Sequence, residues 1–282
     1  MRIEVLGSGG AIATPRPFCD CGLCADAREH GPPNARGGPS VFVHGPDVLV
    51  DTPEESRAQL AFAGIRHVAA ALYSHWHPDH TAGRRVWESG FDFRGWPPEE
   101  KQTFRTPLYV PEQVARDFEA YLGIAQQLAY LEDRLGVVRL HVVRDGERIR
   151  VGGTHITAIR LAADYVYAFL FEGGGRRVLV AMDELVEWTP PDLGRLDLAY
   201  LPLGIFERHP FTGERAIHAE HPLLRLEATY DDTLEIVRAL DARRVVLSHI
   251  EHMDGLSHDQ LVRLGERDGW QPAYDSMSID VA

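Results

Sequence analysis

The segment Ser74-His75-Trp76-His77-Pro78-Asp79-His80 constrains this 282-residue chain most, because it places three histidines and an aspartate within six positions. The short apolar run 68–73 precedes it and has the length and bounds of a buried strand, so the histidines fall at a strand end. Strand ends are where layered α/β folds bind ligands. His75 and His77 point the same way in an extended chain, toward one metal ion. The segment therefore predicts a hydrolytic metal site rather than a histidine-rich surface loop.

Other apolar runs also end in a residue that can bind or orient a metal ion. The run 48–50 ends in Asp51, the run 177–182 ends in Asp183, and the run 244–248 ends in His249. Each has a simpler interpretation as well, since Asp51 could close a turn and Asp183 could cap a following helix. The repetition of the pattern indicates that these ends meet at one edge of the fold.

The motif His75-x-His77-x-Asp79-His80 resembles the signature of the metallo-β-lactamase fold superfamily of hydrolases. An N-terminal strand that runs into Gly7-Ser8-Gly9-Gly10 is similar to the first strand of that family. The resemblance implies an α/β fold, a four-layer αββα sandwich with metal ions at one edge. It also implies roles for particular residues: first-site ligands His75 and His77, second-site ligands Asp79, His80 and His249, the bridging ligand Asp183, and Asp51 as a second-shell hydrogen-bond partner of the metal site.

One expected ligand is missing. The third histidine of the first metal site should lie within 161–164, and no histidine is there. Asp164 is the substitute, since a carboxylate is a normal zinc ligand and is favoured by harder ions such as manganese; an exposed turn residue is the alternative. We therefore expect one or two catalytic divalent ions, zinc, manganese or iron.

All three cysteines lie in Cys19-Asp20-Cys21-Gly22-Leu23-Cys24. This spacing is typical of three ligands to one structural zinc ion, whereas a disulfide would leave one thiol over. The motif resembles the phosphonate-pathway cyclic phosphodiesterases (PhnP-like) and, more distantly, pyrroloquinoline quinone biosynthesis protein B. The PhnP-like resemblance implies that His252 is the fourth zinc ligand. A redox or disulfide switch is the alternative.

The subgroup resemblance implies hydrolysis of a small, cyclic phosphodiester. Relatives often have a histidine as general acid where this chain has Glu227, so Asp79 and Glu227 are the expected catalytic residues. A carboxyl group can act as the acid if its surroundings raise its pKa; His218 and His221 are alternatives. Other functions stay open: hydrolysis of an acyl ester, thioester or lactone, an iron-dependent redox reaction, or a non-catalytic metal-binding accessory protein.

Composition limits the partners. The chain has 42 acidic and 29 basic residues, a net charge of −13, and no concentrated basic patch, which argues against a long nucleic acid. A small phosphate ester remains compatible, because bound ions would offset local acidity. No signal peptide or apolar span of roughly 18–20 residues is seen, so we expect a cytoplasmic protein without membrane contact. A homodimer is compatible with the sequence.

We expect a single domain over residues 1–282, because the motifs that share one site are spread along the chain. A cap-like insertion is predicted around residues 84–135. Within it, 90–98 is an aromatic, turn-rich loop, and 111–135 has the apolar spacing of one or two amphipathic helices.

Overall fold

The computed structural model describes residues 1–92, 94 and 104–281 and contains two large mixed sheets. The first sheet has the strand order β14 (Ser278–Asp280), β1 (Arg2–Gly7), β2 (Ser40–His44), β3 (Val48–Val50), β4 (Ala70–Leu72), β5 (Thr106–Pro111) and β6 (Val138–Val143). The second has the order β13 (Gln271–Pro272), β12 (Val245–Ser248), β11 (Leu198–Pro202), β10 (Arg176–Ala181), β9 (Tyr167–Gly173), β8 (Thr154–Arg160) and β7 (Arg148–Val151).

Each sheet has a parallel part and an antiparallel part. Strands β3, β4, β5 and β6 run parallel in the first sheet, as do β10, β11, β12 and β13 in the second. The remaining neighbours pair antiparallel. The chain segments that leave the parallel strands at their carboxyl ends carry the predicted ligands, which is the edge where α/β sheets bind ligands.

The central strands β9, β10, β11 and β12 of the second sheet are apolar on both faces because both faces are covered. In β10, Val178 and Val180 belong to a core shared with the first sheet, whereas Leu179 and Ala181 belong to a second core. Side chains alternate between the faces of a strand, so one continuous apolar run supplies both cores. The second core also contains Leu234 and other helical residues. This layering confirms the predicted four-layer αββα sandwich.

Short helices occupy the outer layers and the connections. They are α1 (Gly22–His30), α2 (Ser56–Phe62), α3 (Pro78–Thr81), α4 (Glu112–Ala120), α5 (Ile124–Ala129), α6 (Tyr230–Ala239) and α7 (His258–Asp268). The 3₁₀ segments are Ala82–Gly90, Pro222–Arg225 and His252–Asp254, and Tyr130–Arg134 continues α5 as a π-helical turn. Among the described helices, none is long and apolar enough to cross a membrane.

The structure differs from the cap predicted for residues 84–135. Residues 106–111 form β5, which pairs with β4 on one side and β6 on the other, inside the first sheet. Helices α4 and α5 agree with the predicted amphipathic pair, and their apolar residues Phe118 and Leu128 are buried in the core between layers. This part of the chain builds the sandwich. Of the predicted aromatic loop 90–98, residues 93 and 95–98 lie outside the described residues.

Gly83 allows the close approach between α3 and the end of β3. Its amide donates to the Thr52 carbonyl at 2.9 Å, and the Thr52 amide donates to the His80 carbonyl at 2.8 Å. A β-carbon on Gly83 would lie 1.8 Å from the Pro53 carbonyl oxygen. Gly83 therefore fixes the position of the helix that carries Asp79 and His80.

We expect Gly83→Ala to lower the free energy of unfolding by about 1–3 kcal/mol, because the added methyl group forces the backbone apart in a packed region. Urea denaturation measures the change. Gly153→Ala is the matched control, since a β-carbon at Gly153 meets nothing within 4 Å. Equal stability of the two variants would contradict the close approach at Gly83.

Candidate functional site

Two groups of metal-ligating side chains meet at the edge of the sandwich. One contains His75, His77 and Asp183, the other contains Asp79, His80 and His249, and in each group one ligand atom per residue lies within 4.8 Å of the others. The predicted ligands from three separate strand ends therefore come together. The ends of β4, β10 and β12 supply them, with α3 carrying Asp79 and His80.

Asp183 lies between the two groups. Its Oδ2 is 3.3 Å from His75 Nε2 and 3.7 Å from His80 Nε2, and its Oδ1 is 3.5 Å from His249 Nε2. Asp79 Oδ2 is 3.1 Å from His80 Nε2 and 3.4 Å from His249 Nε2. Asp183 thus contacts histidines of both groups.

The buried carboxylate of Asp51 orients the histidines from behind. Asp51 Oδ1 accepts from the Ser74 amide at 2.7 Å, and Oδ2 accepts from the Ser74 hydroxyl at 2.5 Å and contacts His80 Nδ1 at 2.7 Å. The Ser74 hydroxyl oxygen also contacts His75 Nδ1 at 3.0 Å. Contacts of this kind at Nδ1 fix the ring and leave Nε2 for a metal ion.

The charges of the two groups differ. Burial lowers the pKa of His75 and that of His77, the latter to about 4, so both rings are neutral near pH 7. Burial opposes protonation of His249 too, but Asp183 and Asp79 raise its pKa to about 9, and Asp79 and Asp51 raise that of His80 well above its usual value. Although burial disfavours both carboxylates, the histidines hold the pKa of Asp79 and that of Asp183 well below the usual range.

The buried donor atoms fit divalent metal ions. Within the described residues, His75 Nε2 and Asp79 Oδ2 are buried and form no hydrogen bond. The Nε2 atoms of His80 and His249 are 3.4 Å apart, and both lie within 3.4 Å of Asp79 Oδ2. Imidazole nitrogens and carboxylate oxygens in this combination suit zinc, manganese or iron. The residues therefore fit the metal centre that the sequence predicts.

Asp164 does not join either group. Its side chain is 76% exposed, and its Oδ2 pairs with Arg160 Nη2 at 3.3 Å at the surface. The sequence neighbour Tyr165 turns inward instead, with its ring centroid 5.4 Å from that of His77 and 6.0 Å from that of His75. The prediction of Asp164 as a ligand is therefore corrected, because Asp164 lies in the turn before β9, where its side chain pairs with Arg160 at the surface.

A cavity of about 330 Å³ opens beside the two groups and is bordered by His77, Asp79, Asp183 and His249. Glu227, the predicted acid, lines this cavity, and so does Glu184, which the sequence reasoning missed. Burial, together with the neighbouring Glu184 carboxyl group, raises the pKa of Glu227 to about 9. The only sequence signal for Glu184 is its position directly after Asp183.

The other candidate acids lie elsewhere. His218 and His221 are exposed and are absent from the lining of the described cavity. His218 Nδ1 accepts a hydrogen bond from the Glu220 amide at 3.3 Å, and His221 Nδ1 accepts one from the Leu223 amide at 3.1 Å. Both contacts are typical of local turn structure.

The cysteine motif forms a third ligand group, with His252. Cys19, Cys21, Cys24 and His252 place their ligand atoms within 4.8 Å of one another. His252 Nε2 is 3.2 Å from Cys21 Sγ and 3.8 Å from Cys19 Sγ, and all three thiols are free. Hydrogen bonds from the Cys24 backbone and from His252 lower the pKa of Cys21 to about 6, which favours the thiolate that binds zinc.

Comparisons with solved structures agree with this architecture. A diphosphatase of the PhnP family shares 24% identity at a TM-score of 0.70, over 99% of this chain and 97% of that chain. Zinc-bound PqqB from Methylobacterium extorquens shares 18% at a TM-score of 0.76, over 99% and 100%. Human tRNase Z, short form, shares 16% at a TM-score of 0.63, over the whole of both chains. These likenesses show the fold.

Comparisons of sequence identify the family. An octanoyltransferase of Porphyromonas gingivalis is 32% identical over 83 residues, which are 29% of this chain and 17% of that protein, so the match spans about a sixth of its length. The model of the beta-lactamase superfamily domain matches residues 45–250, which include the motif His75 to His80, Asp183 and His249. The chain therefore belongs to the beta-lactamase superfamily.

Proposed function

We propose that the protein is a metal-dependent hydrolase that cleaves a small phosphodiester. The observation that carries this proposal is the convergence of both ligand groups and of Glu227 on one cavity. When bound, divalent ions lower the pKa of water to about 7 and offset the charge that develops on phosphoryl oxygens. The ligands would be His75, His77 and Asp183 for one ion and Asp79, His80, His249 and Asp183 for the other.

The side chains of the cavity orient the water and protonate the leaving group. Asp79 orients the attacking water, which loses a proton to solvent as the new oxygen–phosphorus bond forms, because the pKa of Asp79 is held too low for it to take that proton. The bond between phosphorus and the leaving oxygen breaks as Glu227 donates its proton to that oxygen. Because its pKa is raised to about 9, Glu227 keeps this proton at neutral pH.

One observation favours an acyl ester as the second candidate substrate. Among the described residues that line the cavity there is no lysine or arginine, although a phosphate group is usually bound by such residues. Arg84 and Arg85 do not border it, since Arg84 donates to the Thr81 carbonyl and Arg85 pairs with Glu88. An uncharged ester requires no cationic side chain. Turnover of p-nitrophenyl butyrate compared with bis-(p-nitrophenyl) phosphate distinguishes the two.

Metal content per chain, measured together with turnover, tests the proposal. We expect about two or three ions per chain and hydrolysis of bis-(p-nitrophenyl) phosphate in the same sample. About one zinc ion per chain and no turnover after addition of zinc, manganese or iron would reject the catalytic centre and favour an accessory protein.

Asp79→Ala should reduce kcat/KM at least a hundredfold (order of magnitude) and lower the metal content, because it removes a ligand and the residue that orients water. Steady-state kinetics and elemental analysis measure both effects. Asp164→Ala is the matched control and should keep the activity within about twofold, since Asp164 pairs with Arg160 at the surface. A large loss of activity in Asp164→Ala would indicate that Asp164 is a metal ligand after all.

Glu227→Gln should reduce kcat/KM by about 10²–10⁴ for a phosphodiester with a poor leaving group, and by less for p-nitrophenyl esters, which need no acid. The acid works only when protonated, so activity on the poor leaving group should be present below pH 9 and fall as the pH rises through about 9. Profiles of kcat/KM against pH for both esters measure this. The same loss for both leaving groups would argue against the acid role.

We also propose that Cys19, Cys21, Cys24 and His252 hold a structural zinc ion, which ties the N-terminal loop to the loop after His249. His252→Ala should release about one zinc ion per chain and lower the thermal midpoint, because a structural metal contributes folding energy. His67→Ala, which changes an exposed histidine, is the control. Unchanged zinc content in His252→Ala would contradict the assignment of His252 as a zinc ligand.

A further inference from the structure

The cavity beside the metal ligands is lined mainly by aliphatic side chains. Its lining consists of the four ligands that border it, three glutamates, one glycine and eight apolar residues. The apolar residues are Ala11, Ile12, Leu185, Pro202, Ile205, Leu223, Ala228 and Met253. Because the ligands border this space, a substituent on a phosphorus atom held at the ligands extends into it and meets apolar surface.

The three glutamates of the lining are engaged with the protein. Glu184 Oε1 accepts from the Ala228 amide at 3.0 Å. The Glu227 carboxyl group keeps its proton, because burial and Glu184 raise its pKa to about 9, and it forms a hydrogen bond with the side chain of Glu184. Glu251 Oε1 accepts from the Ala11 amide at 2.7 Å. The negative charge that remains on Glu184 and Glu251 disfavours a substituent that carries a second phosphate or a carboxylate.

The residue types of the lining also disfavour a sugar or a base. Apart from the ligand histidines, the described lining contains no aromatic ring on which a base could stack, and no lysine or arginine for a further phosphate. It contains no serine, threonine, asparagine or glutamine to bind the hydroxyl groups of a sugar. A polar group placed there would lose its water without gaining a partner, which costs free energy.

The aliphatic residues of the lining include buried and exposed members. Leu185 and Ile205 are 0% and 5% exposed, whereas Ile12 and Met253 are 45% and 48% exposed. Exposed apolar residues that border a concave site gain free energy when an apolar ligand covers them. A volume of about 330 Å³ is at the lower end of the range for small-molecule sites, so the ligand group that fills the cavity is short.

We propose that this cavity is the subsite for a short, uncharged aliphatic ester arm of the substrate. The inference rests on the proposed phosphodiesterase function, which places the phosphorus at the metal ligands. The methylene groups of the arm pack on side chains such as Ile205, Leu223 and Met253, and each methylene group removed from water tightens binding about fourfold. The carboxylates that border the cavity select against anionic arms.

Binding of a matched pair of phosphinates tests this without hydrolysis. Butyl(methyl)phosphinate and 3-hydroxypropyl(methyl)phosphinate carry their arms on phosphorus–carbon bonds and differ by the exchange of a terminal methyl for a hydroxyl group. On the zinc-loaded protein, calorimetry should give about tenfold tighter binding of the butyl compound, because the hydroxyl group finds no partner in the lining. In Leu223→Asn, which places an amide in the lining, the ratio of dissociation constants should fall by about threefold or more.

Met253→Gln introduces an amide at an exposed position of the lining and should lower the ratio as well. Leu226→Asn is the matched control, because Leu226 is 62% exposed and lies outside the lining of the described cavity, so this variant should keep the wild-type ratio. Equal binding of the two phosphinates, no binding of either, or a ratio that is unchanged in both lining variants would overturn the inference.

Turnover of bis-(p-nitrophenyl) phosphate is measured on the same wild-type sample, so that the two proposals are tested separately. A preference for the butyl compound without turnover refutes the proposed function alone. Turnover without a preference refutes the inference alone.

Discussion

The buried carboxylate of Asp51 is the interaction on which the site depends. A carboxylate that is 1% exposed is costly unless donors surround it, and Asp51 receives the Ser74 amide, the Ser74 hydroxyl and the His80 ring. These contacts join the ends of β3 and β4 to α3. Because the Ser74 hydroxyl oxygen also contacts His75 Nδ1, one residue orients a histidine in each ligand group. The orientation of His75 and that of His80 are thus set by residues of the first sheet.

The backbone around the site is strained where side chains must be aimed. Asp51, Glu184 and His249 all have positive φ, at +61°, +36° and +52°. Each follows the end of a parallel strand, where the chain turns sharply and the side chain points over the edge of the sheet. Such conformations cost on the order of 1–3 kcal/mol each, and the hydrogen bonds and packing of the sandwich must offset this. The second sheet, buried on both faces, provides that support.

The sequence predicts those parts of the fold and site that are encoded locally. An apolar run that ends in a ligand identifies Asp183 and His249, because strand direction and edge follow from the run itself. Family resemblance was needed to connect His252 with cysteines more than two hundred positions away. The prediction of Asp164 as a ligand was wrong because Asp164 lies in a turn before β9, and the sequence does not determine which side chain of a turn points inward. Glu184 was missed since its direction comes from a left-handed backbone and from Ala228, which is distant in sequence.

The acidity of the site links metal binding to protons. Without ions, the carboxylates of Asp79 and Asp183 are balanced by protons on His80 and His249, whose pKa values are raised. In the proposed metal centre, a divalent ion at Asp79, His80 and His249 would displace those protons, so its binding would weaken as the pH falls. His75 and His77 are already neutral, so an ion bound there would release no protons. The proposed affinity of that second group, which has no third histidine, would depend on Asp183.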